Sequence, residues 1–116
     1  MNWYKDFYAG ESITAQKDKI KWKILHHAGQ LNIFVIAVGS NPAALLEIIP
    51  SSQLLQKYYP HEELLVIGIE KGYDNAMKLA GSIVMELYQK TGEFQVREYF
   101  QEKQKENLRK EPVWKL

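Results

Sequence analysis

Apolar positions in this chain concentrate in two short runs. Residues 33–38 (IFVIAV) are apolar throughout, and residues 64–69 (LLVIGI) are interrupted only by Gly68. Strands with two apolar faces are typical of sheets that helices cover on both sides. The runs therefore predict two buried strands of an α/β domain, and we expect them to lie side by side and parallel, because helices are predicted between them.

Helix signals follow the first run. Residues 39–42 (GSNP) predict a tight turn, in which Asn41 caps a helix and Pro42 takes its first position, where a missing N–H does no harm. The inward face of this helix would be Leu45, Ile48 and Ile49. Ser51 then predicts the start of a further helix, which Pro60 ends.

A long helix is predicted after the second run. It follows a turn at residues 70–74, runs to Lys90 and stops at Gly92. Its inward face would be Ala76, Ala80, Ile83, Val84 and Leu87.

Residues 94–99 predict a third strand, at an edge. Phe94, Val96 and Glu98 alternate with Gln95, Arg97 and Tyr99, which leaves one face polar. The complete expectation is a small, mainly parallel sheet of three strands in the order 2-1-3, with helices on both faces.

The first 29 residues are predicted to form an aromatic arm and a basic helix. Four aromatic residues at i,i+4 spacing favour a short helix, and they either cover the core or anchor an interface: Trp3, Tyr4, Phe7 and Tyr8. Residues 12–29 favour a second helix that ends at Gly29. The period-two alternation of residues 19–24 leaves open a fourth strand instead.

The chain divides by composition into a domain at residues 1–100 and a charged tail at residues 101–116. The tail predicts a helix that frays, and Trp114 is its one large aromatic residue. Trp114 either folds back on its own domain or docks on a neighbour, so it joins the four aromatic residues of the arm as an interface candidate.

Composition narrows the classes of function. The 116 residues carry a net charge of +1 and include no cysteine, which excludes disulfides, thiolate zinc sites and a cysteine nucleophile. The start of the chain has no secretory pattern, and no apolar run is long enough to cross a bilayer. We therefore expect a cytoplasmic protein that does not bind membranes.

A basic stripe is the only feature typical of nucleic-acid binding. Lys17, Lys19, Lys21 and Lys23 surround Trp22, but Asp18 reduces the net charge of this stretch to +3. A dedicated binder would need more excess charge than this domain carries. We interpret the stripe as the solvated face of a helix.

Three segments resemble a small uncharacterised bacterial protein family with no assigned activity. They are NPAALLEIIP, LLQKYYP and GIEKGYDNAMKLAGSIVMELYQKTGEFQVREYF, and the resemblance spans most of residues 31–100. It implies a compact bacterial domain and brings over no catalytic residue.

Candidate ligand-binding residues come from the loops after the first two strands, because open parallel sheets bind ligands beyond the carboxyl ends of their strands. They are Gly39, Ser40, Asn41, Lys71, Gly72 and Asp74. Neither GxGxxG nor GxxxxGK[ST] is present, and Asp74 would repel a phosphate. Ser40 lacks the surrounding motif of a nucleophile elbow. We predict no cofactor and no metal site.

The sequence thus favours a non-enzymatic α/β module. A narrow sheet and surplus aromatic residues predict a homo-oligomer, such as a dimer, or docking on another protein. The alternative hypothesis is a module that binds a small ligand or an anion through the loops at residues 39–41 and 71–74.

Overall fold

The computed structural model describes residues 1–39, 44–55 and 64–110. Within them lie, in chain order, β1 (Asn2–Ala9), α1 (Lys17–Leu25), β2 (Ile33–Val38), β3 (Glu47–Pro50), β4 (Leu65–Lys71), α2 (Tyr73–Thr91) and α3 (Val96–Lys110). Short 3-10 turns occupy Thr14–Gln16 and Ser51–Leu55. The strands form one four-stranded sheet in the order β1-β4-β2-β3. The expected mixture of helices and sheet is confirmed.

The direction of the strands differs from the prediction. β2 runs antiparallel to both of its neighbours, β3 and β4, and only β1 and β4 are parallel. The mainly parallel sheet of order 2-1-3 is therefore wrong. Parallel neighbours need a crossover of about a dozen residues or more. Residues 39–46, which connect β2 to β3, are too few for one.

Both apolar runs are buried strands, as predicted, and their two faces enter separate cores. On β2, Val35 and Ala37 face one core, which α1 covers, while Ile36 and Val38 face the other. The second core is covered by α2 and α3, which contribute buried residues to it. Helices on both faces of the sheet are thus confirmed.

The aromatic arm is strand β1, and the short helix predicted there is wrong. Trp3 and Phe7 pack edge to face on the α1 side, with ring centroids 5.5 Å apart. Tyr4 points to the other core and meets the ring of Phe100 at 5.1 Å. Residues i and i+4 share a face in a strand as well as in a helix. The aromatic spacing was therefore compatible with both structures.

The helix predicted through residues 45–49 is also wrong, because β3 occupies Glu47–Pro50. Ile49 lies opposite Val35 in the ladder, and β-branched residues favour such pleated surfaces. Pro50 is tolerated because β3 is an edge strand. The helix predicted from Ser51 begins as the 3-10 turn Ser51–Leu55. Residues 40–43 and 56–63 lie outside the described part of the chain.

The C-terminal part of the domain is helical where a third strand was predicted. α3 begins at Val96 and continues to Lys110, so it crosses the predicted boundary between the domain, which ends at residue 100, and the tail, which begins at residue 101. Val96 and Phe100, one turn apart, are both buried, and burial of this face favours the helix. The helical alternative for residues 19–24 is confirmed by α1, and the long helix by α2. As predicted, α2 ends at Gly92, which has a φ of 74°.

Truncating Phe100 tests the placement of α3. Phe100 is 1% exposed, whereas Phe94 is 49% exposed. We expect Phe100→Ala to lower the free energy of unfolding by about 3–5 kcal/mol. The matched Phe94→Ala change should cost less than about 1 kcal/mol. Urea titration followed by circular dichroism measures both values, and equal effects would contradict this packing.

Candidate functional site

The candidate ligand loops lie at opposite ends of the sheet. Val38 pairs with Leu65 at one end of the β2–β4 ladder, and Ile33 pairs with Lys71 at the other. Gly39 follows Val38 at one end of the ladder, and Lys71 lies at the other end. The structure therefore does not bring Gly39 and Lys71 together. Ser40 and Asn41 lie outside the described residues.

The glycines of these loops have close neighbours. A Cβ on Gly39 would lie 2.2 Å from Glu47 Oε2, so the Glu47 carboxylate already fills that space. Gly72 has a φ of 85° and donates its N–H to the carbonyl oxygen of Asn32 at 2.8 Å. Asp74 is exposed in the first turn of α2, where its charge disfavours an anionic ligand.

The basic stripe divides into two pairs of lysines. Lys17 lies over the ring of Phe7 at 5.6 Å, and Lys21 lies over the ring of Trp3 at 5.3 Å. Such contacts stabilise the packing of α1 on β1. Lys19 and Lys23 instead line a shallow cavity of about 350 Å³, together with Lys71.

The aromatic interface candidates are largely used inside the fold. Tyr4 and Phe7 are buried in the two cores, and Trp3 and Tyr8 are half-buried against them. Trp114 lies outside the described residues. An interface role for these aromatic residues stays a prediction.

Two chemically different flanks border the buried face of α2. Successive residues of a helix are rotated by roughly 100° about its axis, so Tyr73, Met77 and Tyr88 lie on one flank of α2. Met85 lies beside this flank and faces solvent. All four are at least 41% exposed. The other flank carries polar residues, which are Asn75, Lys78, Ser82, Glu86 and Gln89.

The apolar flank faces the edge strand β3. The Tyr73 ring meets Phe34 of β2 at 5.7 Å, and Phe34 pairs with Pro50 of β3. At the other end of α2, Tyr88 stacks on Phe94 with centroids 4.5 Å apart. Phe94 and Leu45 line a common cavity of about 260 Å³. We name these exposed residues the edge patch: Leu45, Tyr73, Met77, Met85, Tyr88 and Phe94.

The edge patch was not predicted from the sequence, although part of its signal is visible there. Tyr73 and Met77 are four residues apart, as are Val84 and Tyr88, which is a second apolar row beside the predicted inward face. The sequence does not tell whether such a row widens the core or remains at the surface. The position of β3 decides this, and β3 was predicted to be helical.

The polar flank faces the turn after β1. There, Glu70 of β4 is only 6% exposed, and its Oε1 accepts the backbone N–H of Lys71 at 2.8 Å. A Cβ on Gly10 would lie 1.5 Å from Glu70 Oε2, so the carboxylate occupies the space beside the glycine. A buried carboxylate is costly unless hydrogen bonds or a cation compensate it.

On the same side of the sheet, the Tyr8 hydroxyl donates a hydrogen bond to Glu86 Oε1 at 3.4 Å. Burial of the phenol is the largest cause that raises the pKa of Tyr8, and the neighbouring Glu86 carboxylate adds to it. Together they raise this pKa to about 12. Tyr8 therefore stays neutral well above the ordinary range of tyrosine.

The described part of the chain has neither a cluster of metal ligands nor a helix that could span a membrane. In residues 1–39, 44–55 and 64–110, no three His, Asp or Glu side chains are grouped to hold a metal ion. Comparisons with protein-family models, curated proteins and solved structures find no match. The resemblance to a bacterial family stays a prediction.

Replacing Gly10 tests the position of the Glu70 carboxylate. Gly10→Ala should lower the free energy of unfolding by about 1–3 kcal/mol, because the new methyl group displaces the carboxylate from the Lys71 N–H. In a Glu70→Ala background the same change should cost almost nothing. Denaturant titration of this double-mutant cycle measures the coupling.

Gly81→Ala is the matched control for Gly10→Ala. No atom lies within 4 Å of a Cβ at Gly81, so alanine should stabilise α2 by about 0.5–1 kcal/mol. Equal costs of Gly10→Ala with and without Glu70 would contradict the described contact.

The raised pKa of Tyr8 predicts a dependence of stability on alkaline pH. The folded pKa of about 12 exceeds the ordinary value of 10.0, so the stabilisation is complete below pH 10 and is lost as the pH rises through about 12. Chemical denaturation across this pH range should show a smaller decrease in the free energy of unfolding for Tyr8→Phe than for the wild type. Identical profiles would contradict the assignment.

Proposed function

We propose that this chain is a non-enzymatic self-associating module, and that two copies form a homodimer through the edge patch. The observation that carries the proposal is the row of half-exposed apolar side chains on the flank of α2 beside the edge strand β3. Contiguous apolar surface of this kind typically marks an interaction site. An edge strand beside it adds backbone groups that can pair with another strand.

The charge of the patch supports a second copy as the occupant. In a two-fold dimer the same surface meets itself, so any charge near the axis meets a like charge. The edge patch consists of uncharged residues, and Asp74 lies at one end of α2, away from the centre of the row. A net charge of +1 adds little general repulsion.

The geometry supports helix packing as the main source of affinity. β3 has only four residues and ends at Pro50, so its main chain can supply few intermolecular hydrogen bonds. α2 has 19 residues, which corresponds to a length of about 28 Å. A standard interface buries roughly 800 Å² on each partner. The proposal includes both Met77 and Tyr88 in that area.

The setting of the module is part of the proposal. A chain without cysteine fits a reducing compartment, and the proposal places the dimer in the cytoplasm. The dimer itself is the functional form in this account, and no catalytic step is assigned to it.

Adding a charge to the edge patch tests the proposed dimer. We expect sedimentation equilibrium of the wild type to give twice the monomer mass of 13.5 kDa, with dissociation on dilution. Tyr88→Glu should weaken dimerisation at least about tenfold, because each interface would bury two unpaired carboxylates.

Gln89→Glu is the matched control, since it adds the same charge one residue away on the polar flank. It should leave the dissociation constant of the dimer unchanged. Circular dichroism should show equal helix content for both variants. A wild type that stays monomeric at every concentration would contradict the proposal. Equal effects of the two substitutions on dimerisation would also contradict it. So would the finding that the edge patch binds a different protein and never a second copy of this chain.

A further inference from the structure

A second surface lies on the polar flank of α2, away from the edge patch. A wide cavity of about 750 Å³, largely open to solvent, lies between this flank and the turn that follows β1. This volume is within the range of known small-molecule sites. The polar side chains that line it are Glu11, Ser12, Glu70, Asn75, Lys78 and Ser82.

Glu70 contributes a carboxylate to the lining of this cavity. Its side chain is 6% exposed, and Oε1 accepts the Lys71 N–H. Among the described residues no donor is bonded to Oε2. Oε2 can therefore accept a further hydrogen bond, and the Glu70 side chain lines the cavity. A ligand that brings a cationic donor could supply that hydrogen bond.

Further acceptors line the same cavity. The Asn75 amide nitrogen donates to the Lys71 carbonyl oxygen at 3.2 Å, which leaves Asn75 Oδ1 as an acceptor. The Ser82 hydroxyl donates to the Leu79 carbonyl oxygen at 2.8 Å, and its lone pairs can still accept. A primary ammonium group carries three N–H donors. This part of the lining therefore suits an ammonium group better than an anion.

Lys78 supplies a positive charge to the wall of the cavity. Within residues 1–39, 44–55 and 64–110, its ammonium group forms no ion pair with Glu11 or Glu70 within 4.0 Å. Opposite charges thus line one cavity without neutralising each other. A ligand that has both charges could bridge them, with its own anionic group at Lys78.

We propose that this cavity binds a small zwitterion, of the class of free α-amino acids. The ligand's ammonium group is bound by Glu70, and its carboxylate is bound by Lys78. Gly10 supports this site, because the Cβ of a larger residue would meet the Glu70 carboxylate and move it. This site is independent of the proposed dimer, since the cavity and the edge patch are on different flanks of α2.

Nuclear magnetic resonance titration of the full chain tests the proposal. The probes are the individual protein α-amino acids at millimolar concentration, followed by two analogues of the tightest one, its decarboxylated amine and its deaminated acid. We expect saturable shifts at the amides of Glu70, Asn75 and Lys78. Each analogue should bind at least about tenfold more weakly than the amino acid, because one charge-assisted hydrogen bond is lost.

Two variants and two controls locate the binding. Glu70→Gln keeps the shape of the side chain, and Lys78→Gln changes an exposed residue whose loss should not affect folding. Both should weaken binding at least about tenfold. Glu93→Gln and Lys90→Gln make the same changes outside the cavity and should have no effect.

Three results would overturn the proposal. The first is the absence of saturable shifts with every amino acid. The second is an amine or acid analogue that binds as tightly as the amino acid. The third is unchanged binding in Lys78→Gln, which remains informative even where Glu70→Gln is unstable.

Discussion

The antiparallel pairing of β2 with β4 is the constraint on which the rest of this structure depends. Both strands have residues with no exposed surface, including Val35, Ile36, Val66 and Ile69. Their two faces separate the two cores, so helices must cover both sides of the sheet. The pairing also makes β1 and β3 the edges and sends the loops after β2 and β4 to opposite ends. Both surfaces for which a function is proposed follow from this arrangement.

The same arrangement of strands determines what lies beside each flank of α2. One flank lies beside the edge strand β3, where the sheet ends and apolar residues remain half exposed. The other flank lies beside the turn after β1, where Glu70 is buried among polar residues. Apolar surface suits a protein partner, and a polar cavity with unpaired charges suits a small ligand. One helix therefore carries both proposals.

The sequence predicted the buried strands and the long helix because their apolar patterns are long and consistent. It failed at the Trp3–Phe7 spacing, which fits both strand and helix. It also failed at residues 94–99, because the buried pair Val96 and Phe100, four residues apart, lies on one helical face. Strand direction could not be read from the chain, because two apolar faces show only that a strand is covered on both sides. The edge patch depends on which strand lies at the edge, and the Glu70 cavity depends on the turn at Gly10, so neither was predictable from local pattern.

Intermolecular contacts of the methionine methyl groups test the central claim most directly. The chain has three methionines, and Met77 and Met85 belong to the edge patch while Met1 packs against the core that α1 covers. In a mixed sample of isotope-labelled and unlabelled chains, filtered nuclear Overhauser spectra detect only contacts between copies. This account predicts such contacts from Met77 and Met85 to aromatic rings of the other copy, and none from Met1. Contacts from Met1 alone, or none from any methionine, would contradict it.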